Sequence, residues 1–275
     1  MEHVSVICRW IAYLLYAGAF AVFVVQFLIK SPVLNRVGLV VAAAGLVFQT
    51  AAIILRGFSA GHVPFVGGYE SLVMVSWSIV LVWHVLESFT KMRAVGLYVL
   101  PVVLALLTVA WTKYEAPIGL APALRSDIVV LHVIVLLTAI GCLYVAGGAA
   151  IIYLIEEALL RRHKADGVLG RLPSLGSLEK LIYHATLLGL PFLTAGMLAG
   201  IIRAVTYDVP SWWVDPMVLL ALFAWALYAV LLWGRVRADW VGSRIAWLAL
   251  TGLVVLLVIR FAAVPYLSGF HNYGG

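Results

Sequence analysis

Eight stretches of this chain stay apolar for about twenty residues each, the length at which a helix crosses the hydrocarbon of a bilayer. They lie at about 9–29, 37–56, 70–89, 94–112, 127–155, 182–205, 216–234 and 244–264. The runs are continuous, whereas a barrel strand would alternate apolar and polar residues. Each is therefore expected to be a helix, which pairs its own backbone N–H and C=O groups in the absence of water. Of the 275 residues, 65% are apolar and only 11% charged, which leaves no room for a large water-soluble catalytic domain or for disorder. The first run is too long, and its start too weakly basic, for a cleaved signal peptide. Two distant cysteines, Cys8 and Cys142, and no C-x-x-C exclude a disulfide framework, a thioredoxin-like carrier and a c-type haem attachment site. The expected fold is all-α: a polytopic integral membrane bundle of about eight transmembrane helices, forming a single domain over 1–275.

The net charge of +6 is explained by topology. With the N-terminus outside, Arg9, Arg56, Lys113, Arg125, Arg203 and Arg260 fall on the outer side. The other twelve of the 18 basic residues fall on the cytoplasmic side. The positive-inside rule favours that orientation, with both termini extracytoplasmic. No basic face with interleaved stacking aromatics stands apart from the loops, so nucleic acid is not an expected partner. The longest cytoplasmic loop, about 157–181, reads as an anchor and flexible connector, with docking of a cytoplasmic partner as the other reading. The absence of a Gly/Pro-broken helix with a midplane charge argues against a small-molecule transporter.

This topology places a set of polar and aromatic residues on one face. His62, Tyr69 and Glu70 lie at the mouth of span three. Arg125, Asp127 and His132 lie at the mouth of span five. Asp208, Trp212, Trp213 and Asp215 lie between spans six and seven, and His271 lies in the C-terminal tail. Haem suits such a set: its iron takes imidazole nitrogen, its ring stacks on indole, and its propionates pair with Arg. Trp10 and Trp111, also at outer ends, read as interfacial anchors. Glu70 either caps span three or orients an arginine in the site. His62, before Val63-Pro64 in a stiff loop, is structural or lines a substrate. His84, His163 and His184 lie towards the cytoplasm and read as ordinary hydrogen-bonded or solvated groups.

Several segments resemble the cytochrome c assembly family, most closely its plastid and Gram-positive branch, the CcsA/ResC-type proteins, which are related to the CcmC/CcmF haem-handling proteins. Gly61-His62-Val63-Pro64, Tyr69-Glu70-Ser71-Leu72 and Ser76-Trp77 are similar to that family's G-H-F-P…Y-E-S-L…S-W block. Pro122-Ala123-Leu124-Arg125-Ser126 with His132-Val133 resembles its P-A-L-Q-S…H-V segment. Leu178-Glu179-Lys180-Leu181 and Gly189-Leu190-Pro191-Phe192 resemble the entry to its next helix. Trp212, Asp215-Pro216 and Trp225 form a degenerate W-x-W-D-P signature, and Phe270-His271-Asn272-Tyr273-Gly274 is similar to the closing L-H-S-Y-G. The likeness covers about 57–275.

The resemblance implies a b-type haem held transiently at the extracytoplasmic face of a plasma or inner membrane. His132 and His271 would ligate the iron, and Trp212, Trp213 and Asp215 would form the platform. Arg125 and Arg203 are placed for the propionates, with His62 and Glu70 as further lining residues. The implied partners are apocytochrome c and a second membrane protein of a cytochrome c synthase complex. Within that complex this chain would hold or transfer haem, and no catalytic residue of its own is implied. The chain departs from the family pattern at Val214, where the second Trp of the signature is replaced, and at Met217-Val218, which replaces Lys-Glu. It departs also at Trp233, where close relatives have an intramembrane histidine, and at Gly67, which replaces an Asn. A second reading therefore stays open: a divergent, non-catalytic member acting as a membrane scaffold or regulator linked to haem metabolism.

Overall fold

A computed structural model describes residues 1–29, 31–90, 95–116, 126–162 and 173–262. All eight expected helices are present: α1 (Glu2–Ile29), α2 (Pro32–Ala60), α3 (Gly67–Thr90), α4 (Gly96–Thr112), α5 (Asp127–Arg161), α6 (Leu175–Thr206), α7 (Pro216–Arg237) and α8 (Ser243–Val258). Seven are long and apolar enough to span a membrane, α8 when its helical continuation to Ala262 is included; α4 is a shorter apolar helix of 17 residues, about 25 Å at helical rise. Large apolar side chains such as Leu14, Val47, Phe89, Phe223 and Trp247 point outward. Water would disfavour such a surface and hydrocarbon would not. The chain is a polytopic helical membrane protein.

Helices α1–α4 form one compact unit and α5–α8 a second. In the first unit α1 lies on α2 and α4, and α3 on α2 and α4. α3 buries the largest share of its apolar segment among the long helices. The interior holds Tyr16, Phe23, Leu72, Ile79, Trp83 and Leu100, and at its centre the fully buried Gln49. An amide in hydrocarbon must be satisfied by protein. Here the Tyr16 hydroxyl donates to Gln49 Oε1 (2.7 Å), while Gln49 Nε2 donates to the Val73 carbonyl (3.1 Å) and to Ser76 Oγ (2.9 Å). One side chain thus ties three helices together.

In the second unit α5 lies against α6 and α8, and α7 against α6 and α8. The α5–α6 contact is close because glycines on α6 face α5. A Cβ at Gly196 would collide with Leu136, and one at Gly200 would lie 2.7 Å from His132 Cε1. Small residues are how membrane helices approach within van der Waals range. Cys142, fully buried in α5, belongs to the same interface, against Gly189. Trp225 on α7 donates from Nε1 to Thr194 Oγ1 on α6 at 2.9 Å.

The helices outrun the apolar stretches that signal them. α5 continues to Arg161, held by a Glu157–Arg161 pair at 2.9 Å, and α6 already starts at Leu175, where the Ser174 side chain accepts from the Ser177 N–H. The connector expected over about 157–181 is therefore shorter at both ends, and its residues 163–172 lie outside the described residues.

Candidate functional site

In the second unit, the start of α5, the end of α6 and the start of α7 share one end, because successive helices run antiparallel. His132 is on the second turn of α5 and is half-buried. Its Nδ1 donates to the Gly196 carbonyl on α6 at 2.7 Å, across the interface that Gly200 opens. That bond selects the tautomer with the proton on Nδ1 and leaves the lone pair on Nε2. A metal-ligating imidazole is commonly held in this way, by a second hydrogen bond to a backbone carbonyl. His132 therefore fits the role of an iron ligand by the chemistry of its donor atoms.

Arg203 lies one turn beyond Gly200, half-buried, with its guanidinium carbon 3.2 Å from the Tyr207 ring centre. After α6 the chain turns through Asp208 (φ 47°) and Ser211 (φ 54°), left-handed conformations costly for side chains other than glycine. A short 3-10 turn, Trp212–Val214, follows. Two such residues within four positions hold the indoles in a tight, non-helical loop. Trp212 is half-buried and Trp213 is 59% exposed. Their rings stand edge to face, 6.0 Å apart at 82°, so only one of them could lie parallel to a given flat ring. Asp215 is buried and its Oδ1 accepts from the Met217 N–H at 2.8 Å, capping α7 ahead of Pro216. Arg125 and His271 lie outside the described residues.

His62 and Glu70 belong to the first unit. His62, in the turn after α2, places Nδ1 2.8 Å from the Val63 carbonyl. Glu70 performs both roles open to it in the sequence. Its Oε2 accepts from the Val66 N–H at 3.1 Å, closing the start of α3, and its Oε1 accepts from Arg56 Nε at 2.9 Å. Both partners of that ion pair are buried. Arg56 also reaches Glu2 (3.2 Å) and the Glu115 carbonyl (2.9 Å), so one guanidinium links α1, α2, α3 and the segment after α4. Tyr114 donates to the same Glu2 oxygen at 2.8 Å. Burial, with this hydrogen bond, raises its phenol above the ordinary range and keeps it a donor.

Arg9 is the residue that sequence reasoning missed. It is 4% exposed and lies over Tyr69 (4.6 Å), Trp111 (5.3 Å) and Tyr114 (5.6 Å). Trp111 and Trp10, read as interfacial anchors, stack on each other at 4.6 Å, and Trp111 forms part of this cage. The available signal was an arginine inside an apolar span, which is a functional candidate by default; its charge had served only to set orientation. His84 and His184 keep ordinary roles: Nδ1 of each bonds the carbonyl one turn back, Val80 (2.9 Å) and Lys180 (2.6 Å) respectively. No cluster of three or more His, Cys, Asp or Glu arranged for a metal occurs among the described residues.

Fold and side chains together define a multi-pass helical membrane protein with charged groups gathered at its helix ends and a carbonyl-tethered histidine in its second unit. The chain belongs to the cytochrome c assembly protein family, whose description, Cytochrome C assembly protein, matches residues 66–271. It is similar to the cytochrome c biogenesis protein CcsA of Chlorella vulgaris, 30% identical over 271 residues, which cover 86% of this chain and 85% of the relative. The corresponding protein of Prochlorococcus marinus (strain MIT 9303) is 31% identical over 270 residues, 86% of this chain and 84% of the relative. That of Gloeobacter violaceus is 26% identical over 299 residues, 89% and 88%.

Proposed function

We infer that this protein handles haem during c-type cytochrome biogenesis, presenting it at the extracytoplasmic face for attachment to apocytochrome c. The observation that carries the reading is His132: an imidazole tethered through Nδ1 to the Gly196 carbonyl, with Nε2 left as a ligand atom, on a chain of the cytochrome c assembly family. His271 is the second ligand in this proposal. Trp212 or Trp213 would lie along the porphyrin, and Arg203 and Arg125 would meet the propionates. Bound haem supplies iron for the imidazoles and vinyl groups for the apocytochrome thiols. The chain contributes grip, orientation and a fixed tautomer. A partner membrane protein would complete the synthase.

A second reading, a scaffold or regulator without stable haem, draws on the platform. Asp215 is engaged in capping α7, the two indoles are nearly perpendicular, and Val214 replaces the second signature Trp. Spectroscopy separates the two. Protein purified with haem available should show a low-spin bis-imidazole spectrum in reduced-minus-oxidised difference. His132→Gly should lose that spectrum and recover it with added imidazole. Stoichiometric haem absent from wild type in both redox states would leave the scaffold reading.

A further inference from the structure

The turn between α7 and α8 carries charge and aromatic surface that the proposed haem site does not use. Arg235 and Arg237 close α7, Arg244 opens α8, and Asp239 is the one carboxylate between them, so residues 235–244 carry a net charge of +2. Arg235 is engaged within the turn, where its Nη1 donates to the Trp240 carbonyl at 3.2 Å. Arg237 and Arg244 are exposed and form no ion pair among the described residues. Arg244 stands in the first turn of α8, where the helix dipole disfavours a cation and no acidic residue offsets it. The turn holds these groups in place. Asp239 (φ 50°) and Gly242 (φ 76°) bend the backbone, the Trp240 N–H donates to the Gly234 carbonyl (3.0 Å), and the Gly242 N–H donates to Glu179 on α6 (2.8 Å).

The indoles follow one plan on both helices. Trp233 precedes Arg237 by four residues on α7, and Trp247 follows Arg244 by three on α8, so each pair shares a helix face. Both indoles are 59% exposed. At helical rise each guanidinium stem starts about 5–6 Å nearer the end of its helix than the matching indole. Trp240 stands edge to face with Trp233, 6.2 Å away at 88°, and packs over Gly234, where a Cβ would collide with its ring. An indole at the edge of the hydrocarbon, with a cation one turn further out, matches the order of groups in a phospholipid: upper chain and glycerol below, phosphate above. A water-soluble acidic partner would meet the arginines but not the indoles.

We propose that the α7–α8 turn binds an anionic phospholipid, with Arg237 and Arg244 on its phosphate and Trp233 and Trp247 along its glycerol and upper chains. The net positive charge of the turn selects an anionic head over a zwitterionic one, whose own cation would oppose it. The test uses the full chain in a neutral detergent and counts bound lipid by native mass spectrometry, during titration with phosphatidylglycerol or phosphatidylcholine. Wild type should bind phosphatidylglycerol more tightly. Arg237→Gln with Arg244→Gln should weaken phosphatidylglycerol by up to about thirtyfold and leave phosphatidylcholine unchanged. Both side chains are exposed, so the variant keeps its fold. Arg36→Gln with Arg162→Gln removes the same charge from two exposed arginines elsewhere and should leave both affinities unchanged. Trp233→Ala with Trp247→Ala should weaken both lipids. Equal affinity for the two lipids in wild type, or equal weakening by the two arginine pairs, overturns the proposal. So does displacement of phosphatidylglycerol by inorganic phosphate at constant ionic strength, which would mark a site for a free anion.

Discussion

Glu70 shows how much one buried carboxylate does in this molecule. It closes the start of α3 and neutralises the Nε edge of Arg56, from a position only 6% exposed. Removing one member of a buried pair strands the other, at a cost of about 3–5 kcal/mol, whereas removing both costs less. Glu70→Gln should therefore lower the unfolding temperature markedly, and Glu70→Gln with Arg56→Gln should recover part of the loss in a double-mutant cycle. Additive losses would mean that the two groups do not act as a pair. Asp215 allows a similar separation of roles. As a cap, Asp215→Ala should cost about 1 kcal/mol and Asp215→Ser almost nothing. Haem occupancy that falls equally in both variants would show that the carboxylate also serves the ligand. Glu70 and His132 were visible as candidates because each sits in a recognisable string of neighbours. Arg9 was not, because its meaning lies in contacts with Tyr69, Trp111 and Tyr114, which are 60 or more residues away in sequence.

At the scale of elements, the interface between α5 and α6 controls where the His132 ring sits. Gly200 leaves room for the imidazole, and Gly196 supplies the carbonyl that tethers it while letting Leu136 approach. Gly200→Ala places a methyl carbon 2.7 Å from Cε1, inside contact distance. The ring must turn or the helices must part, so overpacking should cost about 1–3 kcal/mol. Haem affinity should fall while the helical circular dichroism is retained. Ala at Gly148, where an added Cβ meets nothing within 4 Å, is the matched control and should change neither. All eight helices could be read from the apolar runs, since hydrocarbon length and backbone pairing leave few alternatives. Their ends could not. α1 starts at Glu2 and α2 at Pro32, several residues before their apolar runs; at α2 a proline opens the first turn, where its missing N–H costs no helical bond.

For the whole molecule, function turns on which face each helix end meets. Each unit has four helices and so begins and ends on one side. The ends carrying Arg9, Arg56 and Glu70 in the first unit, and His132, Arg203 and Trp212 in the second, are both assigned outward by the distribution of Lys and Arg. Twelve of the 18 basic residues oppose six in that assignment. Arg9 and Arg56 are 4% and 5% exposed, and Arg56 is paired with Glu70 and Glu2. These two are held by contacts inside the first unit. Arg36, Arg161, Arg162, Arg237 and Arg244, assigned to the inner side by the same distribution, are exposed, as charges that set orientation should be. Alkaline phosphatase fused after Gly275 should therefore be active and a fluorescent protein at the same point dark. The pattern should reverse for fusions between Arg162 and Pro173. The opposite result would turn His132 towards the cytoplasm and remove the basis for delivering haem to an apocytochrome outside it.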